Sequence, residues 1–384
     1  MRFTQALPAP TAEEIAHSAQ LSACIRQTIH DAGGSIPFRQ FMHMALYEPS
    51  LGYYVAGLRK IGKDGDFVTA PEISPLFSQC IANQCAQILN ELSGGDILEL
   101  GAGSGIMAAD ILIQLEKLEC LPQHYYILDV SPELRDRQFH TLQRKVPHLL
   151  ERVKWLDSLP AQPLRGVILG NEVLDAMPVE LFRIVDGAMH TLNVTSHTDG
   201  FALVNAATHS QASPYPDLPD GYTSEYNPAL PAWLQSMAQC LAAGVILLVD
   251  YGYEAREYYH PERSQGTLIC HYQHRVHDNP LIYVGLQDIT ASVDFTAVAN
   301  AGLDVGLELY GYTTQAMFLA SSGLEQVFIN ALNTHPEQPY ALAQQVRLLS
   351  LPSEMGDRFK VIALGKDYHS ALLGFQLDDR RYRL

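Results

Sequence analysis

The chain has 384 residues with 42 acidic and 25 basic side chains, which gives a formal net charge of −17. Proteins that coat nucleic acid need clustered lysine and arginine to neutralise phosphates, so this charge balance argues against nucleic acid as a partner. Hydrophobic residues make up 47% and charged residues 17%, which indicates a globular chain with a large core and excludes a disordered one.

The chain shows no sequence signal for a membrane or an export route. The longest uncharged apolar stretch, residues 240–249, is half of the roughly 20 residues that a membrane-spanning helix needs. The first residues lack the apolar core of a signal peptide, and Glu13 and Glu14 argue against a transit peptide. We therefore expect a cytoplasmic protein without membrane insertion. The six cysteines form no C-x-x-C pair, so free thiols are expected instead of disulfides or zinc.

The first part of the chain is predicted to be helical. Thr11 and Glu14 form a capping-box pattern before apolar residues at helical spacing, which predicts a first helix ending near Gly33. An amphipathic helix is predicted after Pro37 and another over about residues 75–92, with a glycine- and proline-rich stretch between them. We assign residues 1–92 to an N-terminal helical and cap region, and residues 93–384 to the main domain.

A strand followed by a glycine-rich turn is the most informative feature. A short apolar strand ends at Glu99-Leu, glycines follow at positions 101, 103 and 105, and a helix comes next. Gly101, Gly103 and Gly105 let a ligand approach bare backbone, and the helix start offers N–H donors. The nicotinamide fingerprint requires a small residue where this chain has Ile106, so a dinucleotide fits poorly. A turn with only a structural role is the alternative.

Two further strands end in acids. Asp129 ends the strand over residues 125–129, where a carboxylate can accept both hydroxyls of a ribose. Its alternative role is to cap the helix over 132–145, although Ser131 is suited to that task. Asp157 follows the third strand, at the place that borders an adenine in such folds, or is simply a solvent-facing turn acid.

Polar side chains also follow the fourth strand. This buried strand ends in Asn171, and Glu172 and Asp175 come directly after it. Ligands of open parallel sheets bind beyond the carboxyl ends of the strands, so these groups are predicted to face the reaction site. The alternative is that Glu172 caps a following helix and that Asp175 is an exposed acid in its first turn. A fifth strand over residues 245–252 brings Tyr251 to the same edge.

The remaining elements complete an α/β pattern with insertions. A helix over about 293–301 and strands over 303–310 and 359–365 bring the predicted sheet to seven strands. Three insertions are predicted at about 179–206, 253–290 and 314–349. The first alternates apolar and polar residues around two Asp-Gly pairs, which indicates β-hairpins, and the third is predicted to be helical.

Longer motifs point to one family. They are Ala45-Leu-Tyr-x-Pro-x-x-Gly-Tyr-Tyr54, Ile61-Gly-x-x-Gly-Asp-Phe-x-Thr-x-Pro-Glu72 and Asn171-Glu-x-x-Asp-Ala-x-Pro-Val179. Over nearly its whole length the chain resembles the MidA-like protein arginine methyltransferases, a family that includes the mitochondrial complex I assembly factor and bacterial relatives. The resemblance implies a class I methyltransferase fold with a Rossmann-like seven-stranded sheet. It also implies methyl transfer from S-adenosylmethionine to an arginine nitrogen of a protein, which in the mitochondrial member gives symmetric dimethylarginine on a complex I subunit.

The resemblance assigns roles to individual residues. The expected cofactor-binding set is Glu99, Gly101, Gly103, Gly105, Asp129, Asp157 and Asn171, with Phe67 and Thr69 closing over the cofactor. Glu172 and Asp175 are the expected catalytic acids, because a guanidinium and a sulfonium ~4 Å apart at an effective dielectric of ~20 repel by about 4 kcal/mol. Asp66, Tyr251 and His274 are expected on the substrate side. The three-residue steps of His271, His274 and His277 also fit a metal cluster, but the nearby acids lack ligand spacing and we expect no metal.

Three functions of different class remain open at this stage. The first is a protein arginine methyltransferase whose partner presents a basic segment, which the net charge of −17 would suit. The second is a methyltransferase with the same cofactor that acts on a small molecule or another residue type. The third is a non-catalytic assembly protein that holds the cofactor as a structural ligand. The sequence does not indicate the oligomeric state.

Overall fold

The computed structural model describes residues 7–56, 69–212 and 218–384, with the side chains of 207–212 left out. The chain divides into two compact units of three segments each. Unit 1 comprises Met1–Phe67, Leu174–Ala229 and Tyr253–Asp294, and unit 2 comprises Val68–Val173, Leu230–Gly252 and Phe295–Leu384. The stretches 179–206 and 253–290, which the sequence predicts as insertions, lie in unit 1, whereas 314–349 lies in unit 2.

The elements follow each other along the chain in this way. The helices are α1 (Ala12–Asp31), α2 (Phe38–Tyr47), α3 (Ala70–Ile73), α4 (Pro75–Glu91), α5 (Ile106–Lys117), α6 (Pro132–Lys145), α7 (Leu230–Cys240), α8 (Ala255–Tyr258), α9 (Phe295–Asp304), α10 (Gln315–Ser321), α11 (Leu324–Thr334) and α12 (Pro339–Ser350). The strands are β1 (Ile36–Pro37), β2 (Asp96–Leu100), β3 (Tyr125–Leu128), β4 (Val153–Leu156), β5 (Leu164–Asn171), β6 (Glu180–Val185), β7 (Ala188–His197), β8 (Gly200–Ala212), β9 (Thr223–Tyr226), β10 (Leu241–Tyr253), β11 (Ile269–Tyr272), β12 (Arg275–His277), β13 (Asp288–Thr290), β14 (Val293–Asp294), β15 (Glu308–Thr314) and β16 (Phe359–Lys366).

Unit 2 is built on a mostly parallel sheet. Its strands follow the order β15-β16-β10-β5-β2-β3-β4, and β10, β5, β2, β3 and β4 run parallel. β16 runs antiparallel to both of its neighbours. Among the described residues one further short strand pairs with β10 and makes eight strands, so the predicted count of seven is not confirmed, although the predicted α/β class is. Because parallel strands carry their carboxyl ends to one edge, the residues after β2, β3 and β5 meet there.

The central strands are apolar because both faces of the sheet are covered. Val167 and Leu169 of β5 and Val245, Leu247 and Val249 of β10 are buried in the same core as the apolar faces of α4 and α5. This is the continuous hydrophobic run expected of a parallel strand covered on both faces.

Unit 1 contains two small antiparallel sheets and the first helices. Strands β1, β7, β6 and β9 pair in that order with β8 beside β7, and β12, β11 and β13 form the second sheet. The predicted hairpins are confirmed: Asp186 and Gly187 have φ of 51° and 71° and connect β6 to β7. The predicted capping box of α1 is confirmed, since the Thr11 hydroxyl accepts from the Glu14 N–H and the Glu14 carboxylate accepts from the Thr11 N–H.

Some elements differ from the prediction. The strand expected over 303–310 begins only at Glu308, because α9 continues to Asp304 and a turn through Gly306 follows it. Strand β9, helix α7 and the sheet of β11 to β13 are not predicted by the sequence pattern. The helical stretch 314–349 consists of α10, α11 and α12. The six cysteines are free thiols, and among the described helices none is long and apolar enough to cross a membrane.

Candidate active site

The glycine turn after β2 lies at the carboxyl edge of the sheet. Gly101, Gly103 and Gly105 have φ of 64°, 53° and 80°, a left-handed conformation that residues with a Cβ adopt only at a cost. Gly105 is the N-cap of α5, and a Cβ added there would come within 2.8 Å of the Cα of Gln138. The turn therefore needs glycine both for its backbone conformation and for the close approach of α6.

Asp129 follows β3 at the same edge, with only 8% of its surface exposed. One carboxylate oxygen accepts from the Ser131 N–H at 3.0 Å and the other from Nε2 of Gln138 at 2.8 Å. Burial raises the pKa of Asp129 above its ordinary value, and these two hydrogen bonds oppose the rise. Ser131 caps α6 with its own hydroxyl, so Asp129 is not needed as the helix cap. Each of its oxygens retains further acceptor capacity, which suits two ribose hydroxyls.

Glu99 lies inside the sheet core, with 1% of its surface exposed. Its carboxylate accepts from the Tyr125 hydroxyl at 2.7 Å. Burial raises the pKa of Glu99 from its ordinary 4.5 to about 7, against the opposing effect of the Tyr125 hydrogen bond. The structure thus places the predicted Glu99 in the buried part of β2, in contact with β3.

Arg135 connects the ends of β3 and β4. Its guanidinium donates to the carbonyl oxygens of Asp129, at 3.2 Å, and of Leu156, and it pairs with the Asp157 carboxylate at 2.6 Å. The side chain of Asp157 is 93% exposed. Asp157, which the sequence predicts to border an adenine, therefore lies at the sheet edge in an ion pair with Arg135 of α6.

The chain leaves β5 through a strained position. Glu172 has a φ of 53°, although it is not glycine, and its N–H donates to the Val249 carbonyl of β10 at 2.9 Å. Nδ2 of Asn171 donates to Glu172 Oε1 at 3.2 Å, whereas the buried Oδ1 of Asn171 has no hydrogen-bond partner among the described residues. Residues 172–179 form turns, so the alternative that Glu172 and Asp175 cap a helix is wrong.

Asp175 belongs to unit 1, where its side chain is buried. Its carbonyl oxygen accepts from the Ala291 N–H at 2.9 Å. The Tyr54 hydroxyl donates to the Asp288 carboxylate at 2.9 Å, and burial, followed by the charges of Asp288 and Asp175, raises the pKa of Tyr54. Unit 1 thus collects two buried carboxylates and a tyrosine whose hydroxyl stays protonated.

The other predicted residues occupy varied positions. Thr69 is the N-cap residue of α3, and Tyr251 lies near the carboxyl end of β10 with its ring against Phe359 at 5.6 Å. His274 is exposed, with a φ of 59°, in the turn between β11 and β12. Asp66 and Phe67 lie outside the described residues. Within the described part of the chain, no group of three His, Cys, Asp or Glu side chains is arranged to hold a metal ion.

Sequence reasoning missed three residues that shape this edge. Gln138 contacts Asp129 and the glycine turn, Arg135 contacts the ends of two strands, and the Glu72 carboxylate accepts from the Ser104 hydroxyl inside the turn. Glu72 stands in one of the quoted motifs, which was the available signal. Gln138 and Arg135 are polar residues on the first turns of α6 and carry no motif.

The residues of unit 2 fit S-adenosylmethionine. The left-handed glycines leave backbone accessible, the Asp129 carboxylate suits a ribose diol, and the buried Oδ1 of Asn171 needs a donor such as an ammonium group. When bound, this cofactor supplies an electrophilic methyl group on a positive sulfonium.

Comparisons with known proteins agree with this geometry. Residues 80–313, more than half of the chain, match the profile of a family described as "Putative S-adenosyl-L-methionine-dependent methyltransferase". The chain is 40% identical to a Burkholderia thailandensis protein whose crystal structure contains S-adenosyl-homocysteine, with a TM-score of 0.95 over 99% of this chain and 100% of that one. It is 28% identical to the protein arginine methyltransferase NDUFAF7 homolog of Drosophila melanogaster, over 86% of this chain and 82% of that protein. It is also 28% identical to mouse NDUFAF7, a protein arginine methyltransferase, over 91% and 86%.

One expectation is overturned by these relatives. The sequence pattern predicts a cytoplasmic protein. The curated relatives from Drosophila melanogaster and Mus musculus are both named as mitochondrial proteins, so the cytoplasmic prediction is wrong. Composition at an amino terminus is a weak guide to location, because it says nothing about where the folded domain works.

Proposed function

The chain belongs to the family of S-adenosyl-L-methionine-dependent methyltransferases, and from that premise we propose that its methyl acceptor is an arginine side chain of a protein. Family membership confirms the predicted cofactor and the predicted reaction type. The proposal of an arginine acceptor is supported by relatives that are named protein arginine methyltransferases and align over most of their length.

The backbone at Glu172 is the observation that carries the arginine proposal. A left-handed non-glycine residue costs about 1–3 kcal/mol and persists where the surrounding structure holds it in place. Here the Val249 carbonyl holds the Glu172 N–H, and Asn171 holds its carboxylate at the end of β5. A guanidinium keeps its proton at neutral pH, so acceptor and sulfonium repel each other and a fixed carboxylate lowers the barrier.

Glu172 and Asp175 share the proposed catalytic role. Each is held by its own surroundings, Glu172 by β10 and Asn171, and Asp175 in the buried acidic region of Tyr54 and Asp288. A carboxylate that accepts two N–H bonds of a guanidinium draws charge toward two nitrogens and leaves the third free to attack.

The proposed cofactor contacts come from unit 2. We assign Gly101, Gly103 and Gly105 to backbone contact, Asp129 to the ribose and Asn171 to a donor of the cofactor. We also assign to this site Glu99, which is buried in β2, and Asp157, which is exposed after β4. Phe67 and Thr69 as cofactor-closing residues, and Asp66, Tyr251 and His274 as substrate-side residues, stay predictions.

A labelled-methyl experiment tests the acceptor. The purified protein is incubated with methyl-labelled S-adenosylmethionine and protein extract from cells that lack its gene, and labelled proteins are hydrolysed to amino acids. We expect the label in methylarginine, and no transfer by the Gly103→Val variant. Label in another amino acid or in a small molecule would reject the arginine proposal. Binding of S-adenosyl-homocysteine without any transfer would favour a non-catalytic assembly protein.

A further inference from the structure

Gln138 lies at the centre of the cofactor edge and is fully buried. Its Nε2 donates to the Gly103 carbonyl at 3.2 Å and to the Asp129 carboxylate at 2.8 Å, and its Oε1 accepts from the Trp155 indole N–H at 3.0 Å. A side-chain amide has two N–H donors, so both are used. One side chain therefore ties the glycine turn to the acid after β3 and to an aromatic residue of β4.

The orientation of this amide is determined by its partners. An indole nitrogen can only donate, so the Trp155 N–H requires an oxygen facing it. The reverse orientation would place the amide oxygen against the Gly103 carbonyl and the Asp129 carboxylate, which are both acceptors. Gln138 thus presents its two donors in one direction only.

The backbone of α6 at Gln138 also packs closely against the glycine turn. The missing Cβ of Gly105 makes room for Gln138, whose Cα would lie 2.8 Å from that atom. The glycine turn and Gln138 are therefore in contact through the backbone on one side and through a hydrogen bond on the other. A substitution of Gln138 is therefore expected to disturb both the glycine turn and the Asp129 carboxylate.

We propose that Gln138 is the positioning residue of the cofactor site, which orients the Asp129 carboxylate toward the ribose and holds the glycine turn in its binding conformation. The inference rests on the proposed assignment of Asp129 to the ribose. It goes beyond it because Gln138 acts through Asp129 and Gly103 and needs no contact with the cofactor. It is independent of the identity of the methyl acceptor.

Calorimetric titration with S-adenosyl-homocysteine tests the proposal in the full chain. Gln138→Met keeps the length of the side chain and removes all three hydrogen bonds, and we expect affinity to fall about tenfold or more, the effect of losing a hydrogen bond to a charged group. Gln138→Glu keeps the acceptor for Trp155 but loses the donors, so it should bind as weakly as Gln138→Met or more weakly. Rescue of affinity by Gln138→Glu would show that only the Trp155 bond matters and would overturn the proposal.

A matched control separates positioning from general loss of packing. Gln84 is also a fully buried glutamine of unit 2, and its amide bonds with Gln87 and the Gly374 N–H, away from the cofactor edge. Gln84→Met should lower thermal stability about as much as Gln138→Met while leaving affinity within about twofold of the parent. Equal losses of affinity in both variants would show that the effect is structural and would reject the inference.

Two further measurements test whether Gln138 acts through Asp129. In the Asp129→Ala background, Gln138→Met should lower affinity by a clearly smaller factor than in the parent, because the carboxylate that it orients is gone and only its hydrogen bond to the glycine turn remains. Gln138→Met should also reduce the preference for S-adenosyl-homocysteine over its analogue without the ribose 2′-hydroxyl. The same tenfold loss in both backgrounds, with an unchanged preference, would overturn the proposal. A parent protein that does not bind S-adenosyl-homocysteine overturns the cofactor site itself, whereas a failure to methylate arginine leaves this inference standing.

Discussion

The buried acid Glu99 is expected to lower the stability of the fold as the pH rises toward neutrality. Its carboxyl group lies in the core, where it accepts a hydrogen bond from the Tyr125 hydroxyl, and burial raises its pKa from 4.5 to about 7. The negative charge of Asp129 acts in the same direction. In the native chain the proton is therefore retained at pH values where an unfolded chain has already released it.

The sign and size of the effect follow from this difference. Between pH 4.5 and about 7 the native state binds more protons than the unfolded state, so the free energy of unfolding falls as the pH rises. The stabilisation is fully present below the unfolded pKa and is lost once the pH passes the native pKa. At about 1.36 kcal/mol per pKa unit, the difference between 4.5 and about 7 corresponds to about 3 kcal/mol.

Glu99→Gln provides the comparison. The amide oxygen can still accept from the Tyr125 hydroxyl, and the amide carries no charge at any pH, so its other consequences for stability do not depend on pH. Urea unfolding should be followed by tryptophan fluorescence between pH 5 and 8. Both tryptophans, Trp155 and Trp233, belong to unit 2, which also contains Glu99.

The two proteins should diverge with pH. Relative to the parent, Glu99→Gln should gain about 2.5 kcal/mol between pH 5 and pH 8, which is most of the full difference. Tyr125→Phe serves as a second variant: it removes the hydrogen bond that favours the carboxylate, so its loss of stability should extend to higher pH than in the parent. Parallel pH profiles of the parent and Glu99→Gln would refute the reasoning, because they would show that Glu99 titrates normally in the fold.

Further variants test the remaining assignments. Gly103→Val should abolish calorimetric binding of S-adenosyl-homocysteine while leaving thermal unfolding cooperative, because a β-branched residue disfavours a φ of 53°; undiminished affinity would contradict the backbone contact. Glu172→Gln and Asp175→Asn should leave cofactor affinity nearly unchanged and slow methyl transfer about a hundredfold or more, and parental rates in both would remove the guanidinium clamp. Asp157→Ala, assayed by the same titration, should weaken binding by less than about threefold, since the side chain is 93% exposed and forms a solvent-screened ion pair with Arg135. A larger loss would indicate a direct contact with the adenine.

Much of the sheet edge could be predicted because its signals are local. A run of apolar residues, an acid and three glycines within a few positions define the strand, the turn and the helix start around Gly103. Asp129 follows from the same pattern one strand later. The hairpin at Asp186 and Gly187 was predictable for the same reason, because the two adjacent residues of its turn both have positive φ, which Asp-Gly favours.

The residues that arrange this edge could not be predicted, because their partners are distant in sequence. Gln138 donates to Gly103, 35 positions away, and accepts from Trp155, 17 positions away. The periodicity of α6 shows which of its faces is polar, but it does not show what that face meets. The contact between Glu72 and Ser104, which are 32 positions apart, could not be predicted for the same reason. Such contacts are products of packing, which a single sequence does not reveal.

The turn after β5, where a helix would be usual, departs from the ordinary pattern for a reason that is not packing. A parallel strand is ordinarily followed by a helix, and acids such as those at 172 and 175 are common at a helix start, so local rules left that alternative open. The chain instead turns through a left-handed Glu172 and leaves the Asn171 oxygen buried without a partner among the described residues. Strain and an unsatisfied acceptor are both destabilising, and here they fall on adjacent residues at the edge where ligands of parallel sheets bind. Local rules fail where a position is held for a purpose other than stability, which makes Asn171 and Glu172 the first positions at which the proposed chemistry should be tested.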